Sequence, residues 1–340
     1  MRFLVFFALA LQCLLAFGFT NPIKNTDGSD PFMVYHEGFY YLTTTTWTNI
    51  QITRATTING LKTAIPKVVW TDSTASRCCN VWAPEIQWYD NSWYIYYAAG
   101  TSGTFDNQRI NVLKGSSNII WDSTWTYAGN SHYSIYKFTA LTKPTGRIAI
   151  PGRDVWAIDP TMMFLPQGKF LVYSSWDGAN QCLFISQMTS PTTVGNTVKI
   201  STPTFDWEKV GANVNEGPEA IYGPTGRTFI VYSASNCAGT GYKLGLLELT
   251  GSNPLSASSW TKFSQPVFQS ANGVWQPGHN ALFTSPNGQD IWQVFHANRN
   301  TPGTCDGNRF TAVQKVNWNS DGTPNFGQPL ALGTSISEPA

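Results

Sequence analysis

The chain has 340 residues, 21 basic and 20 acidic, for a formal net charge of +1. So even a balance supplies no field for nucleic acid or an anionic membrane, and neither is expected as a partner. Only 12% of residues are charged while 14% are aromatic, including 14 Trp. That mixture suits a protein that stacks sugar rings on indoles, and equally one that buries Trp and Tyr in β-cores.

Arg2 and the apolar run from Phe3 to Leu15 open the chain. The run is short for a bilayer span and ends at the small residues Ala16 and Gly18. Residues 1–18 are therefore expected to be a signal peptide, with 19–340 a single secreted, extracellular, monomeric domain. Cys13 would leave with the peptide. Cys78, Cys79, Cys182, Cys237 and Cys305 remain, an odd number that implies at least one unpaired thiol. Adjacent Cys78 and Cys79 either join each other or pair elsewhere. No Cys/His spacing indicates structural zinc.

Long helical periodicity is missing, and short aromatic and β-branched runs recur. They are Phe39 to Leu42, Trp93 to Tyr97, Phe170 to Tyr173, Phe229 to Tyr232 and Ile291 to Phe295. Each follows a strand-like segment that starts at a polar residue near Pro and ends at a turn. The first segment is Asp30-Pro31-Phe32-Met33-Val34-Tyr35, turning at Gly38. The second is Ala83-Pro84-Glu85-Ile86-Gln87-Trp88, turning at Asn91. The third is Asp159-Pro160-Thr161-Met162-Met163-Phe164, turning at Gly168. The fourth runs from Glu216-Gly217-Pro218-Glu219 to a turn at Gly226, and the fifth from Pro277-Gly278-His279-Asn280 to a turn at Gly288.

This is a degenerate repeat, each copy long enough for a four-stranded blade with its loops. Five such blades predict an all-β, five-bladed β-propeller; a sandwich or β-helix would not need a polar residue at one phase of every repeat. Inner strands starting at those residues would bring Asp30, Glu85, Asp159, Glu216 and His279 to one mouth of the channel. Clustered buried carboxyls have displaced pKa values, the property that acid/base catalysis uses.

The motifs Ser29-Asp30-Pro31, Trp82-Ala83-Pro84-Glu85, Ala157-Ile158-Asp159-Pro160, Asn215-Glu216-Gly217-Pro218 and Pro277-Gly278-His279-Asn280 resemble those of glycoside hydrolase family 43. That family comprises five-bladed propellers that hydrolyse arabinan and xylan with inversion. The resemblance runs from about Asn21 into the C-terminal region. It implies Asp30 as general base, Glu216 as general acid and Asp159 as the group that positions the acid and raises its pKa. Glu219 competes with Glu216, because Gly217-Pro218 can break strand phase.

Glu85, His279 and Arg309 are further candidates for contact with substrate, and the resemblance puts His279 in the channel and Arg309 at the pocket. Each has a structural alternative: Glu85 as an anchor of the ring, His279 as a hydrogen-bonding partner of the next blade, Arg309 in a surface ion pair. His279 in this pattern often helps to hold a metal, commonly calcium, directly or through water, although no cofactor is expected to be obligate. Trp82 and Trp156 are candidate walls of a sugar subsite, or core residues. A Cys78-Cys79 disulfide just before Trp82 would set an apolar platform near the rim. The phrases Phe295-His296-Ala297-Asn298 and Asn317-Trp318-Asn319 look most like an exo-acting branch that releases single arabinofuranose units from α-1,5-arabinan, and plant cell-wall arabinan or arabinoxylan is the expected partner. Endo-arabinanase, β-xylosidase and a non-catalytic sugar-binding propeller stay open as alternatives.

Overall fold

The five aromatic runs become the second strands of five antiparallel sheets, each four strands wide. In the computed structural model, which describes residues 18–128, 147–152 and 155–340, blade 1 comprises Phe32–His36, Phe39–Thr43, Ile50–Ala55 and Lys67–Trp70. Blade 2 is Cys79–Tyr89, Ser92–Gly100, Arg109–Gly115 and Trp125–Tyr127. Blade 3 is Ala157–Leu165, Gly168–Asp177, Asn180–Ser190 and Thr193–Ser201. Blade 4 is Asn215–Tyr222, Thr228–Ala234, Lys243–Leu249 and Trp260–Lys262. Blade 5 is Trp275–Thr284, Ile291–Asn298, Phe310–Trp318 and Pro324–Asn325. The first strand of every blade packs against the first strands of its two neighbours, so five inner strands surround one channel. The protein is a five-bladed β-propeller, as the repeat predicts. Residues 1–17 of the expected signal peptide lie outside the described residues.

The second strands read as continuous apolar runs because neighbouring blades cover both of their faces. Phe170 and Val172 of blade 3 share a core with Ile230 and Tyr232 of blade 4. Tyr40 of blade 1 shares another with Ile95 of blade 2 and with Phe283 and Trp292 of blade 5.

Both chain ends close the ring. Gly18–Thr20 pairs antiparallel with Ser335–Ser337, and Phe19 packs on Trp292. The Asn21 side chain donates to the Val313 carbonyl at 2.8 Å and accepts its N–H at 2.9 Å. The Glu338 carboxylate accepts the N–H groups of Ile58 and Asn59. The segment that leads into Asp30 is thereby fixed to blade 5 before blade 1 begins.

A buried ion pair braces blade 4. Glu208, fully buried, accepts from Lys262 at 2.8 Å, Tyr232 at 2.9 Å and Asn215 at 2.8 Å, and its other oxygen accepts the N–H groups of Thr204 and Phe205. Asn215 directly precedes Glu216, so this cluster sets the backbone from which Glu216 projects. Lys262→Met is expected to cost about 3 kcal/mol, because it strands a buried carboxylate. Thermal unfolding measures the loss, and adding Glu208→Gln should recover part of it.

Candidate active site

Proline has no N–H for a ladder, so Pro84, Pro160 and Pro218 interrupt the pairing of their inner strands. The register shifts between Trp82 and Glu85, Ile158 and Thr161, Glu216 and Glu219, and Gly278 and Ala281. At each interruption one residue turns left-handed: Ala83 (φ 44°), Asp159 (53°), Gly217 (51°) and His279 (40°), with Asp30 (50°) at the same phase of blade 1. Bulges of this kind re-aim side chains. For the non-glycine residues such backbone costs roughly 1–3 kcal/mol each, and it concentrates at functional sites. In blade 4 the position needs Gly217 for room as well, since a Cβ would lie 3.0 Å from the His279 ring. The carboxyl of that blade is therefore carried one residue earlier, on Glu216.

A cavity of about 510 Å³ opens at this mouth of the channel, with Asp30, Asp159, Glu216, His279 and Arg309 among its lining residues. Trp47, Trp82, Phe105 and Ile158 supply apolar wall, and Asn236, Cys237 and Cys305 also line it. Trp82 stands edge-on to Trp47 and 5.2 Å from Phe105, centroid to centroid. Phe105 is 56% exposed, leaving ring surface free for a ligand.

The carboxyls have opposite protonation preferences. Asp30 accepts the Thr45 hydroxyl at 2.6 Å on one oxygen. Its other oxygen has Arg309 at 3.4 Å, His279 at 3.3 Å and His296 at 3.2 Å. Burial opposes ionisation here, but Arg309 and the two histidines outweigh it and hold Asp30 well below the ordinary aspartate value. Burial keeps His279 neutral, and burial with the Arg309 charge pushes His296 down to about 3.

Glu216 accepts Tyr242 Oη at 2.8 Å and Gln181 Nε2 at 2.9 Å. Burial nevertheless raises its pKa, and the Asp30 charge adds to the rise. Asp159 accepts the Gly217 N–H at 3.0 Å, yet burial and the neighbouring Glu216 push it well above the usual range. Between them Asp159 and Glu216 retain a proton at a pH where Asp30 has none. One group poised to accept a proton and another to donate one, across a shared cavity, is the pairing that general acid–base catalysis needs.

The model of glycosyl hydrolases family 43 matches residues 19–324. The chain belongs to this family. It is 37% identical to an extracellular exo-α-(1→5)-L-arabinofuranosidase of Streptomyces avermitilis over 93% of its length, while spanning 65% of that protein. It is 35% identical to α-L-arabinofuranosidase 43 of Humicola insolens, over 98% of this chain and 70% of that one. Among solved structures, α-L-arabinofuranosidase from Lactobacillus brevis aligns with a TM-score of 0.81 at 30% identity, over 93% of this chain and 98% of that one.

Within this family member, several expected positions differ from the sequence reading. Glu85 is two residues past its blade's left-handed turn and is not among the residues lining the cavity. It is equivalent to Glu219, with which it forms a lower layer of the channel. Gln87 donates to Glu85 at 2.8 Å, and the Thr161 hydroxyl donates to Glu219 at 2.9 Å. Burial and the neighbouring Glu219 raise Glu85 well above the usual range, and burial raises Glu219 to about 8, so the pair favours the protonated form. The same placement separates Glu219 from Glu216, the one that faces the cavity.

Trp82 lines the cavity, but Trp156 does not: its ring packs on Trp176, and its Nε1 donates to the Phe105 carbonyl at 2.7 Å, bracing that wall from behind. Cys78 and Cys79 are joined, yet the disulfide that lines the pocket is Cys237–Cys305. Cys182 is a free, buried thiol. Among the described residues no group of three His, Cys, Asp or Glu side chains is arranged to hold a metal. A calcium ion takes six to eight oxygens, so one held at His279 and Asp30 would draw most of its ligands from water.

Trp47, Phe105, Tyr242, Gln181 and Thr45 had no motif to mark them. Trp47 and Phe105 share one signal, a position in the loop between the second and third strands of a blade.

The charge pattern predicts the pH profile. Activity should fall in acid as Asp30 takes up a proton, below the ordinary aspartate range, and in alkali as the Glu216–Asp159 pair loses its proton, above it. Arg309→Leu removes the cation beside Asp30 and should move the acid limb of kcat/KM to higher pH, with the alkaline limb less affected. Gly278→Ala would put a Cβ 2.3 Å from the Tyr242 ring. It should lower stability by about 1–3 kcal/mol and lower kcat by shifting the phenol off Glu216, read by melting temperature and steady-state kinetics.

Proposed function

We propose that the protein is a secreted, inverting, exo-acting α-L-arabinofuranosidase that releases terminal arabinofuranose from α-1,5-arabinan or arabino-oligosaccharides of plant cell walls. Asp30 takes a proton from the attacking water. Glu216 gives its proton to the departing glycosidic oxygen. Asp159 holds the Gly217 N–H, and with it the backbone that carries Glu216. Inversion needs a water between base and sugar, which carboxyls about 6.5–9.5 Å apart accommodate.

The observation that carries this reading is the placement of Asp30, beside Arg309 and two histidines, and Glu216, on Tyr242 and Gln181, in one aromatic-walled cavity, with burial raising Glu216 and the cation lowering Asp30. The family's match over nearly the whole chain supports the reaction class, and the names of the Streptomyces and Humicola relatives support the sugar. A walled pocket suits the end of a chain, whereas cutting mid-chain requires an open groove. Export rests on the apolar run near the N-terminus and on the extracellular naming of the Streptomyces protein. No helix among the described residues is long and apolar enough to cross a membrane. No metal is required by the proton transfers, so dialysis against a chelator should leave kcat unchanged; activity restored only by calcium would contradict this.

Incubation with linear arabinan, arabinoxylan and xylo-oligosaccharides tests the sugar. Arabinose alone from linear arabinan is expected. A ladder of oligomers would make it an endo-enzyme, and xylose release a xylosidase. Early proton NMR should show β-arabinose first. Glu216→Gln is expected to cost about 10²–10⁴-fold in kcat on arabinan, and much less on an aryl arabinofuranoside whose leaving group departs unprotonated. A sugar-binding propeller without catalysis would be indifferent to the change.

A further inference from the structure

One wall of the cavity takes no part in the proton transfers. Cys237 and Cys305 both line it, and they are bonded to each other with Cα atoms 5.5 Å apart. Cys237 lies between the second and third strands of blade 4, and Cys305 between the second and third strands of blade 5. The equivalent loops of blades 1 and 2 carry Trp47 and Phe105. Four blades thus build the wall from the same loop, two with aromatic rings and two with a shared disulfide.

The crosslink is tied into the catalytic floor. Next to it Gly239 and Gly303 exchange backbone hydrogen bonds, at 3.0 and 2.7 Å. On its other side the Asp306 carbonyl accepts the Ser29 hydroxyl at 3.2 Å, and the Gly307 carbonyl accepts the Asp27 N–H at 2.7 Å. Ser29 precedes Asp30, and Arg309, two residues past Gly307, approaches the Asp30 carboxylate. The segment from Cys305 to Arg309 therefore bridges the disulfide and the base.

We propose that the Cys237–Cys305 disulfide is a specificity-determining wall of the subsite for the terminal sugar. Its sulfurs offer a soft, polarisable, apolar surface to the C–H face of a furanose ring. The crosslink sets the distance between that surface and the Arg309–Asp30 floor. The Gly239–Gly303 backbone pair joins the same two loops, so it and the disulfide together fix their separation. The proposal rests on the arabinofuranosidase reading for the identity of the sugar. Cys78–Cys79 joins adjacent residues, crosses no blade boundary and is absent from the lining, so it serves as an internal control.

Two measurements test it. In the first, the wild-type protein is treated with a phosphine reductant, and freed thiols are alkylated and mapped by mass. Saturating L-arabinose should slow the reduction of Cys237–Cys305 several-fold and leave Cys78–Cys79 unchanged. In the second, Cys237→Ala with Cys305→Ala is compared with Cys78→Ser with Cys79→Ser, each checked for a cooperative melt. The first pair should raise KM for an aryl α-L-arabinofuranoside about tenfold, the scale of one lost apolar contact in a subsite. It should also narrow the preference over the aryl β-D-xylopyranoside, with little change in kcat. The control pair should match wild type.

Reduction at the same rate with and without sugar would overturn the proposal, as would a folded Ala pair with wild-type KM and preference. If wild type leaves arabinofuranosides intact, the functional reading fails. The protection experiment run with D-xylose then still decides whether this disulfide faces the ligand.

Discussion

Five backbone turns of one hand, at Asp30, Ala83, Asp159, Gly217 and His279, re-aim the side chains that the inner strands present to the channel. A flat inner strand would alternate its residues between the channel and the blade interior. The left-handed residue and the broken ladder beside it shift that alternation at the mouth of the channel. Three blades use the turn itself to present Asp30, Asp159 and His279. Blade 4 has no room for a side chain there and presents the neighbouring Glu216. Blade 2 places Ala83 at the turn, where the Thr45 hydroxyl accepts the Ala83 N–H and donates to Asp30. The strain of these turns is held by blades that pack on one another all the way round and by chain ends that tie blade 1 to blade 5.

The channel then separates into two layers of carboxyls with different fates. In the upper layer Asp30 has Arg309 as a neighbour and stays ionised, while Asp159 and Glu216 share a shortage of positive charge and keep a proton between them. In the lower layer Glu85 and Glu219 have only hydroxyl, amide and backbone partners, and burial raises both. Arg309 and the two histidines on one side of the ring produce the asymmetry, because a buried charge has little else to compensate it.

Much of this was legible in the residues. The five aromatic runs became the second strands, since a strand covered on both faces must be apolar throughout. Asp30, Asp159 and His279 were legible because each sits at the turn, next to Pro or Gly. Glu216 was legible only through the resemblance of Asn215-Glu216-Gly217-Pro218 to a known motif, as local alternation left Glu219 equally plausible. Glu85 was misplaced by one layer for the same reason: the phase of a bulge depends on which residue turns left-handed, and in blade 2 that is Ala83, which has no polar group to draw notice. Trp156 was adjacent to a motif but turned outward to brace Phe105.

The amino-acid sequence by itself determined the blade count and the strand order, because these follow from short-range patterns of apolar runs, prolines and turns. Tertiary structure alone decided which acids share a layer, that Arg309 faces Asp30, and that the wall is completed by Trp47, Phe105 and Cys237–Cys305 rather than by Cys78–Cys79. Those relations join residues from different blades. They are set by how the sheets pack around the axis, a geometry that no local pattern encodes.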